Sequence, residues 1–340
     1  MEISPEAQAL HDKAILIDGH NDSIIEHWAR KESMDMTPDL PDYQVDLRRM
    51  RAGGLTAMNS MVGGGDLFQC IELWDGMYEH IENHPDDYLI VDTADDIYRA
   101  KREGKIGLIG QLESCTALGR SLRVMRVMYK LGVRVANLTH GEAEADSLHG
   151  TKSLFGFCEL SDREHARKNF EGLTDFGREA IPEINRLGMV VDLAHTQDAS
   201  YFEAIELSEA PVMFSHGNIF ALSPHWRNLT DDQLNALADN GGVIGLAFLP
   251  GFIAQDPENQ TLDRLVDHIE YVCDFIGDDY VGFGADYDGM GKRVAIPPSY
   301  AETPQITQLM LDRGFSEETI LKFWGGNFLR VIGEAQAAAN

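Results

Sequence analysis

Short apolar runs recur along the whole chain, at residues 14–18, 55–61, 106–112, 133–138, 189–194, 211–215, 242–248 and 280–284. A run of this length, rich in β-branched residues and bounded by polar or glycine-containing turns, reads as a strand buried on both faces. Helical periodicity fills the intervals. Its clearest instance is Leu262, Leu265, Val266, Ile269, Val272, Cys273 and Ile276, spaced as one face of a helix. Thr230-Asp231-Asp232-Gln233 reads as a capping box, because a hydroxyl and an amide three residues apart satisfy each other's backbone N–H groups at a helix start. Eight strands alternating with helices predict a closed (β/α)8 TIM barrel, since a doubly wound open sheet usually needs fewer strands.

Two connections exceed the turns of a plain barrel. One spans about 29–46 and contains Pro38 and Pro41; the other spans about 141–169 and is polar and glycine-containing. Loops of this length in a compact domain are functional lids or lack fixed structure. Both follow strand C-terminal ends, so both are expected to overhang the same face. Pro182 should kink the helix patterned by Leu173, Phe176, Ile184 and Leu187, or mark its start. The alanine-rich tail, 334–340, reads as a fraying helix end. No repeat, linker or composition break divides the chain, so residues 1–340 are read as a single domain.

Composition acts mainly by exclusion. With 44% hydrophobic and 25% charged residues, the 340-residue chain reads as soluble and globular, and it has no run of about 18 apolar residues that could span a membrane. Met1-Glu2-Ile3-Ser4-Pro5 lacks the basic-then-apolar pattern of a secretory signal, so a cytoplasmic location is expected. Lys and Arg number 28 against 56 Asp and Glu, a net charge of −28 that repels nucleic acid and anionic membranes. Cys70, Cys115, Cys158 and Cys273 are far apart and form no CxxC pair, so they are read as reduced thiols.

The strand map then gathers the candidate chemistry. Asp18-Gly19-His20-Asn21-Asp22 closes the first run with an imidazole and a carboxylate two residues apart. Glu113 follows the third run, His140 the fourth, His195 the fifth, His216 the sixth and Asp286 the eighth. In a barrel these strand ends converge on one mouth. Any one His or Asp after a strand is commonly a satisfied polar residue or a helix cap. His11, His27, His80, His84, His149, His165 and His268 are accordingly read as surface or packing residues. The joint pattern points to metal. Imidazoles and carboxylates without thiolates suit Zn2+, and also Mn2+, Fe2+ or Co2+. Five ligand side chains exceed what one catalytic zinc takes but suit two ions sharing a bridging carboxylate and a hydroxide. His20 and Asp22 are assigned to one ion, His195 and His216 to the other, and Glu113 to the bridge. Such a pair lowers the pKa of its water towards about 7 and polarises a carbonyl, which is the chemistry of amide hydrolysis.

These residues carry a resemblance. Asp18-Gly19-His20-Asn21-Asp22, Asn137-Leu138-Thr139-His140, Asp192-Leu193-Ala194-His195, Phe214-Ser215-His216, Arg227-Asn228 and Gly282-Phe283-Gly284-Ala285-Asp286-Tyr287-Asp288-Gly289 together resemble the membrane (renal) dipeptidase family of zinc dipeptidases, over residues 10–333. The resemblance implies an amidohydrolase-like barrel with two Zn2+, hydrolysing dipeptides and often tolerating a D-residue on the C-terminal side. It further implies that Asp286 shuttles the proton from bridging hydroxide to leaving amine, that His140 polarises the scissile oxygen, and that Arg227 receives the substrate carboxylate. An Arg fork suits that last role on its own physics, being bidentate and permanently charged. Asp146, in the second long loop, matches an acidic family position and is a further substrate-binding candidate.

Departures qualify the match. Ser114-Cys115 follows Glu113 where the family often has two glycines, and Leu249 stands where mammalian enzymes have a tyrosine. The mammalian disulfide cysteines and lipid-anchor signal are absent, which points to a bacterial-type intracellular relative. The alternatives are an amidohydrolase acting on N-acyl amino acids, a metal-dependent sugar isomerase and a non-catalytic barrel. Isomerase sites are usually dominated by carboxylates, which disfavours the second. A homodimer is the expected assembly.

Overall fold

The computed structural model describes residues 1–140, 172–291 and 294–339. Among these residues are nine strands: β1 (Leu16–Asn21), β2 (Leu55–Met61), β3 (Tyr88–Ile90), β4 (Ile106–Glu113), β5 (Val133–Asn137), β6 (Val190–Asp192), β7 (Met213–Gly217), β8 (Val243–Leu246) and β9 (Val281–Phe283). All but β3 form a closed parallel ring. Its last joins are β1 to β9, with Asp18 opposite Phe283, and β2 to β4, with Ala57 opposite Gly107. With helices between successive strands, this is the predicted (β/α)8 barrel. The three-residue β3 is too short to stand out as an apolar run; it pairs with the start of β4, Tyr88 opposite Ile106.

Two strands run further than their side chains suggest. The apolar pattern stops β1 at Asp18 and β7 at Ser215, yet pairing continues to Asn21 opposite Ser60 and to Gly217 opposite Leu246. A ladder is made by backbone groups, and polar side chains do not end it. His20 and His216 therefore sit on the strands themselves.

The base of the barrel is closed by the C-terminal helix. Ile17, Ala57, Ile109, Val135, Val190, Met213 and Val243, one from each of seven consecutive ring strands, form a buried cluster with Phe328 of the helix Asn327–Ala337. Glycine makes room for that ring: a Cβ on Gly19, Gly245 or Gly282 would approach it to 2.7, 3.1 or 2.7 Å. The tail is correspondingly anchored rather than frayed. Ala335 is fully buried, and the Gln336 amide accepts from Ala94 N at 3.0 Å and donates to the Asp92 carbonyl at 3.1 Å. Elsewhere the capping box at Thr230 has both its arms, and Pro182 lies inside the helix Asp175–Leu187 rather than at its start.

Of the two long connections, 141–171 lies outside the described residues, and with it Asp146. The other is held from within and from across the mouth. Met36 and Val45 are buried, and Arg49 donates to the Leu40 and Tyr43 carbonyls and the Asp46 carboxylate. Gln44 N donates to Asp288 Oδ1 at 2.6 Å, while Asp288 N donates to Gln44 Oε1 at 2.8 Å. No helix among the described residues is long and apolar enough to cross a membrane.

Phe328→Ala should empty the base against three glycines and rigid strands that can collapse only partly. Urea unfolding followed by circular dichroism is expected to show a loss of about 3–5 kcal/mol.

Candidate metal centre

The barrel brings its strand-end donors together around Glu113, the last residue of β4. Glu113 Oε1 lies 3.1 Å from His195 Nε2, 3.3 Å from His20 Nε2 and 3.6 Å from His216 Nε2. His20 Nε2 is also 3.4 Å from Asp22 Oδ1 and 4.0 Å from Asp286 Oδ1, and the Nε2 atoms of His195 and His216 are 3.0 Å apart. The His140 ring stands 4.5 Å from that of His195. Three overlapping groups of donors result: His20, Asp22 and Asp286; His20, Glu113 and His216; and Glu113, His140 and His195.

The spacing suits metal. Donors about 2.0–2.1 Å from a tetrahedral zinc lie about 3.3 Å from one another, close to most of these separations. His20 Nε2 and Asp22 Oδ1 are, moreover, buried with no hydrogen-bond partner. Such atoms are expensive to bury unless something positive or protic occupies the space between them.

A layer of polar contacts aims the donors. The Gln111 amide donates through Nε2 to Asp192 Oδ2 at 2.9 Å, so its oxygen is left to face His20 Nδ1 at 2.8 Å. That oxygen can only accept. His20 must therefore carry a proton on Nδ1 and turn Nε2 to the cluster, where a cation can take its lone pair. Ser215 Oγ stands 2.9 Å from His216 Nδ1, and Asp192 Oδ1 accepts from Ala194 N and Ser215 N at 3.0 and 2.9 Å. Gly289 presses on the carboxylates: a Cβ there would lie 2.0 Å from Asp22 Oδ2 and 2.6 Å from Asp286 Oδ1.

Sequence reasoning missed these supports, although one left a signal. Gln111 precedes Glu113 by two, and a strand returns to the same face every second residue. Ser215 adjoins His216 and Gly289 follows Asp286 by three, but neither spacing says that the hydroxyl faces the imidazole or that the glycine meets Asp22. The departure at Ser114 falls where the backbone itself calls for glycine. Its φ is 99°, in the region that favours glycine; His195, Asp286 and Asp288 also have positive φ, at 64°, 60° and 67°. Strain of this kind gathers where side chains must be aimed.

Electrostatics divides the histidines. Burial alone would lower the His20 imidazole, but Glu113, Asp22 and Asp286 reverse it and hold it well above its ordinary value. Burial, then Arg227 and the neighbouring imidazoles, push His195 and His216 well below theirs. Glu113 is raised, chiefly by burial, and Asp286 is pushed up to about 8 by burial and then by Asp22. Thus a cluster without metal holds protons at His20 and Asp286 more readily than free groups would, and keeps two imidazoles neutral. Those protons occupy the place a cation would take.

A cavity of about 1050 Å³ opens above the cluster, lined by His140 and Arg227 and by apolar Ile25, Met61, Leu249 and Phe252. Arg227 is buried. Its Nη2 donates to the His216 carbonyl at 3.3 Å, and its guanidinium stands 5.7–5.9 Å from the rings of Phe252, Phe214 and Trp226. The predicted residues His20, Asp22, Glu113, His140, His195, His216, Arg227 and Asp286 therefore all meet at one mouth.

Comparison with known proteins places this arrangement in context. The family model described as membrane dipeptidase (peptidase family M19) matches residues 4–340. Dipeptidase aclJ of Aspergillus oryzae is 32% identical, the match covering 99% of this chain and 81% of that protein. Dipeptidase tcpJ of Claviceps purpurea is 35% identical over 81% of this chain, and the match spans 61% of that relative's own length. Among solved structures, an amidohydrolase from Pseudomonas aeruginosa superposes with a TM-score of 0.81 at 25% identity, covering 97% of this chain and 99% of that one. A metallo peptidase from Rhodobacter sphaeroides, liganded with a phosphinate mimic of the dipeptide L-Ala-D-Ala, gives a TM-score of 0.81 at 23% identity, covering 95% and 100%.

Gln111→Leu should free the His20 ring while leaving the cluster's ligands in place. Zinc affinity, read by competition with a chromogenic chelator, is expected to fall about 10–100-fold with an unchanged circular dichroism spectrum.

Proposed function

The chain belongs to the membrane dipeptidase family, peptidase family M19, and on that premise we propose that its mouth hydrolyses the amide bond of dipeptides, L,D-dipeptides included, with two zinc ions. His20 and Asp22 would hold one ion, His195 and His216 the other, and Glu113 both. Bound there, the ions supply Lewis acidity, acidifying water and polarising the amide carbonyl. The observation that carries this reading is the Glu113-centred donor cluster lying in one cavity with a buried arginine.

The chain's own groups take the remaining tasks. Arg227 receives the substrate's terminal carboxylate; within a chain of net charge −28 such a ligand needs a local fixed cation, and a guanidinium binds it bidentately. Held at its mouth position by the His216 carbonyl and three aromatic rings, that fork sets the distance between carboxylate and scissile bond. Asp286 accepts a proton from water and returns it to the leaving amine, a task suited to a carboxyl whose affinity for protons burial has increased. His140, beside His195, donates to the carbonyl oxygen as charge develops on it.

A second reading has one observation in its favour. Ile25, Met61, Leu249 and Phe252 give the cavity an apolar wall that suits the acyl chain of an N-acyl amino acid. The deciding experiment is elemental analysis paired with hydrolysis of L,L-dipeptides, L,D-dipeptides and N-acyl amino acids, before and after chelation. About two zinc per chain with chelator-sensitive dipeptide cleavage is expected. Two metals with only the acyl substrates cleaved would move the assignment to the second reading. No bound metal after reconstitution with zinc would overturn both.

Two variants separate the roles. Asp286→Asn should retain its metal and lose about 10²–10⁴-fold in kcat. Arg227→Ala should raise KM about 10–100-fold for dipeptides with a free carboxylate, and much less for their C-terminal amides.

A further inference from the structure

We propose that Asp35, His80 and His84 form an additional site for a divalent transition metal, one that shares no residue with the mouth and ties the loop after β1 to the helix Leu67–Asn83. Sequence reasoning places His80 and His84 among the surface or packing residues. Their spacing nonetheless sets them one helical turn apart, His80 in the last turn and His84 at the C-cap, and so on one side of the helix. Asp35 reaches them from the loop. One donor atom from each of the three lies within 4.8 Å of the other two. His84 Nε2 is 3.2 Å from Asp35 Oδ1 and 3.3 Å from Thr37 Oγ1, while Thr37 N and its hydroxyl both donate to Asp35 Oδ1.

His80 is what distinguishes this cluster from an ordinary surface ion pair. It is only 4% exposed, yet neither ring nitrogen has a hydrogen-bond partner. His27 shares that lack of partners but joins no group of donors among the described residues, whereas His11 and His268 are satisfied. His11 uses one nitrogen on Thr307 and the other on the Gly53 carbonyl, and His268 uses its two on Ile219 N and the Ile253 carbonyl. The Tyr88 ring packs 4.3 Å from His80, and the Tyr88 hydroxyl is likewise buried without a partner. Burial lowers the His80 imidazole to about 4, with His84 adding to the effect, so its lone pair is available at neutral pH. Two imidazoles and one carboxylate are a zinc donor set, with a further position for water. Asp35 and His84 keep part of their surface in solvent, which gives an ion a path in.

Such an ion would hold the loop whose Gln44 binds Asp288. The Asp288 carboxylate also accepts from Ser23 Oγ at 2.6 Å and lines the cavity. The site therefore has a structural task, that of fixing an overhang of the mouth from behind.

The test uses the full chain, stripped by chelation and reloaded with Co2+ alone. Bound equivalents are counted by elemental analysis and the visible Co2+ spectrum is recorded, for the wild type, His84→Gln and Asp35→Asn. Both substitutions fall at the partly exposed edge, where they leave the core intact, and circular dichroism checks each fold. The wild type is expected to bind one equivalent more than either variant, with that ion's spectral contribution missing from both, while dipeptide hydrolysis changes by less than about twofold. Equal stoichiometry in all three folded proteins would overturn the site. So would loss of an equivalent together with all hydrolysis, since the missing ion would then belong to the mouth.

Discussion

Glu113 is a carboxylate buried where the ends of several strands meet, and its charge must be balanced largely on the spot because only a small edge of it reaches the cavity. Three imidazole nitrogens stand within 3.6 Å of a single one of its oxygens. Neutral imidazoles cannot all neutralise it, and in the absence of metal a proton on His20 is the balance that the surroundings favour. Divalent cations meet the same need without forcing a base to hold a proton. Much of the mouth follows from this requirement: the Gln111–Asp192 relay that orients His20, the serine behind His216, and the glycine that lets Asp22 and Asp286 approach.

Rigidity elsewhere is what makes so dense a cluster of charge tenable. Donors packed this closely repel or attract strongly, and a soft scaffold would relax them apart. Two of the imidazoles lie on paired strands rather than on loops, and the barrel beneath is plugged by Phe328 against three glycines. Some of the residues that leave the strands do so in a strained backbone conformation, with Ser114, His195, Asp286 and Asp288 at positive φ. Strain at four positions around one mouth is tolerated because the surrounding ladder over-determines it. At the rim, Asp288 ties the loop after β1 to the loop after β9, so the walls of the cavity are joined as its floor is.

The fold and the residues that meet at its mouth were legible in the chain for one reason: both are signalled locally. Each strand of the ring announced itself by its own apolar run, and each donor by its place just after or at the end of one. Residues from His20 to Asp286 could be assigned to a common mouth because closure of a parallel barrel brings all strand ends together, whatever the sequence distance between them. The local signal failed where its premise did. Polar side chains at His20 and His216 suggested that the strands had ended, whereas backbone pairing went on; β3 was too short to register; and the alanine-rich tail looked free until Gln336 found Asp92 and Ala94.

What the sequence determined by itself was therefore the barrel and the order in which its histidines and acids reach one mouth, since strand periodicity and residue chemistry are written in short stretches. Tertiary structure alone decided which donors touch, which nitrogen of His20 faces the cluster, how Phe328 closes the base, and that His80 is buried beside His84 and Asp35 with nothing to bond. Each of these depends on atoms brought together from distant parts of the chain, at distances where a few tenths of an ångström separate a contact from a gap. No local pattern encodes such distances.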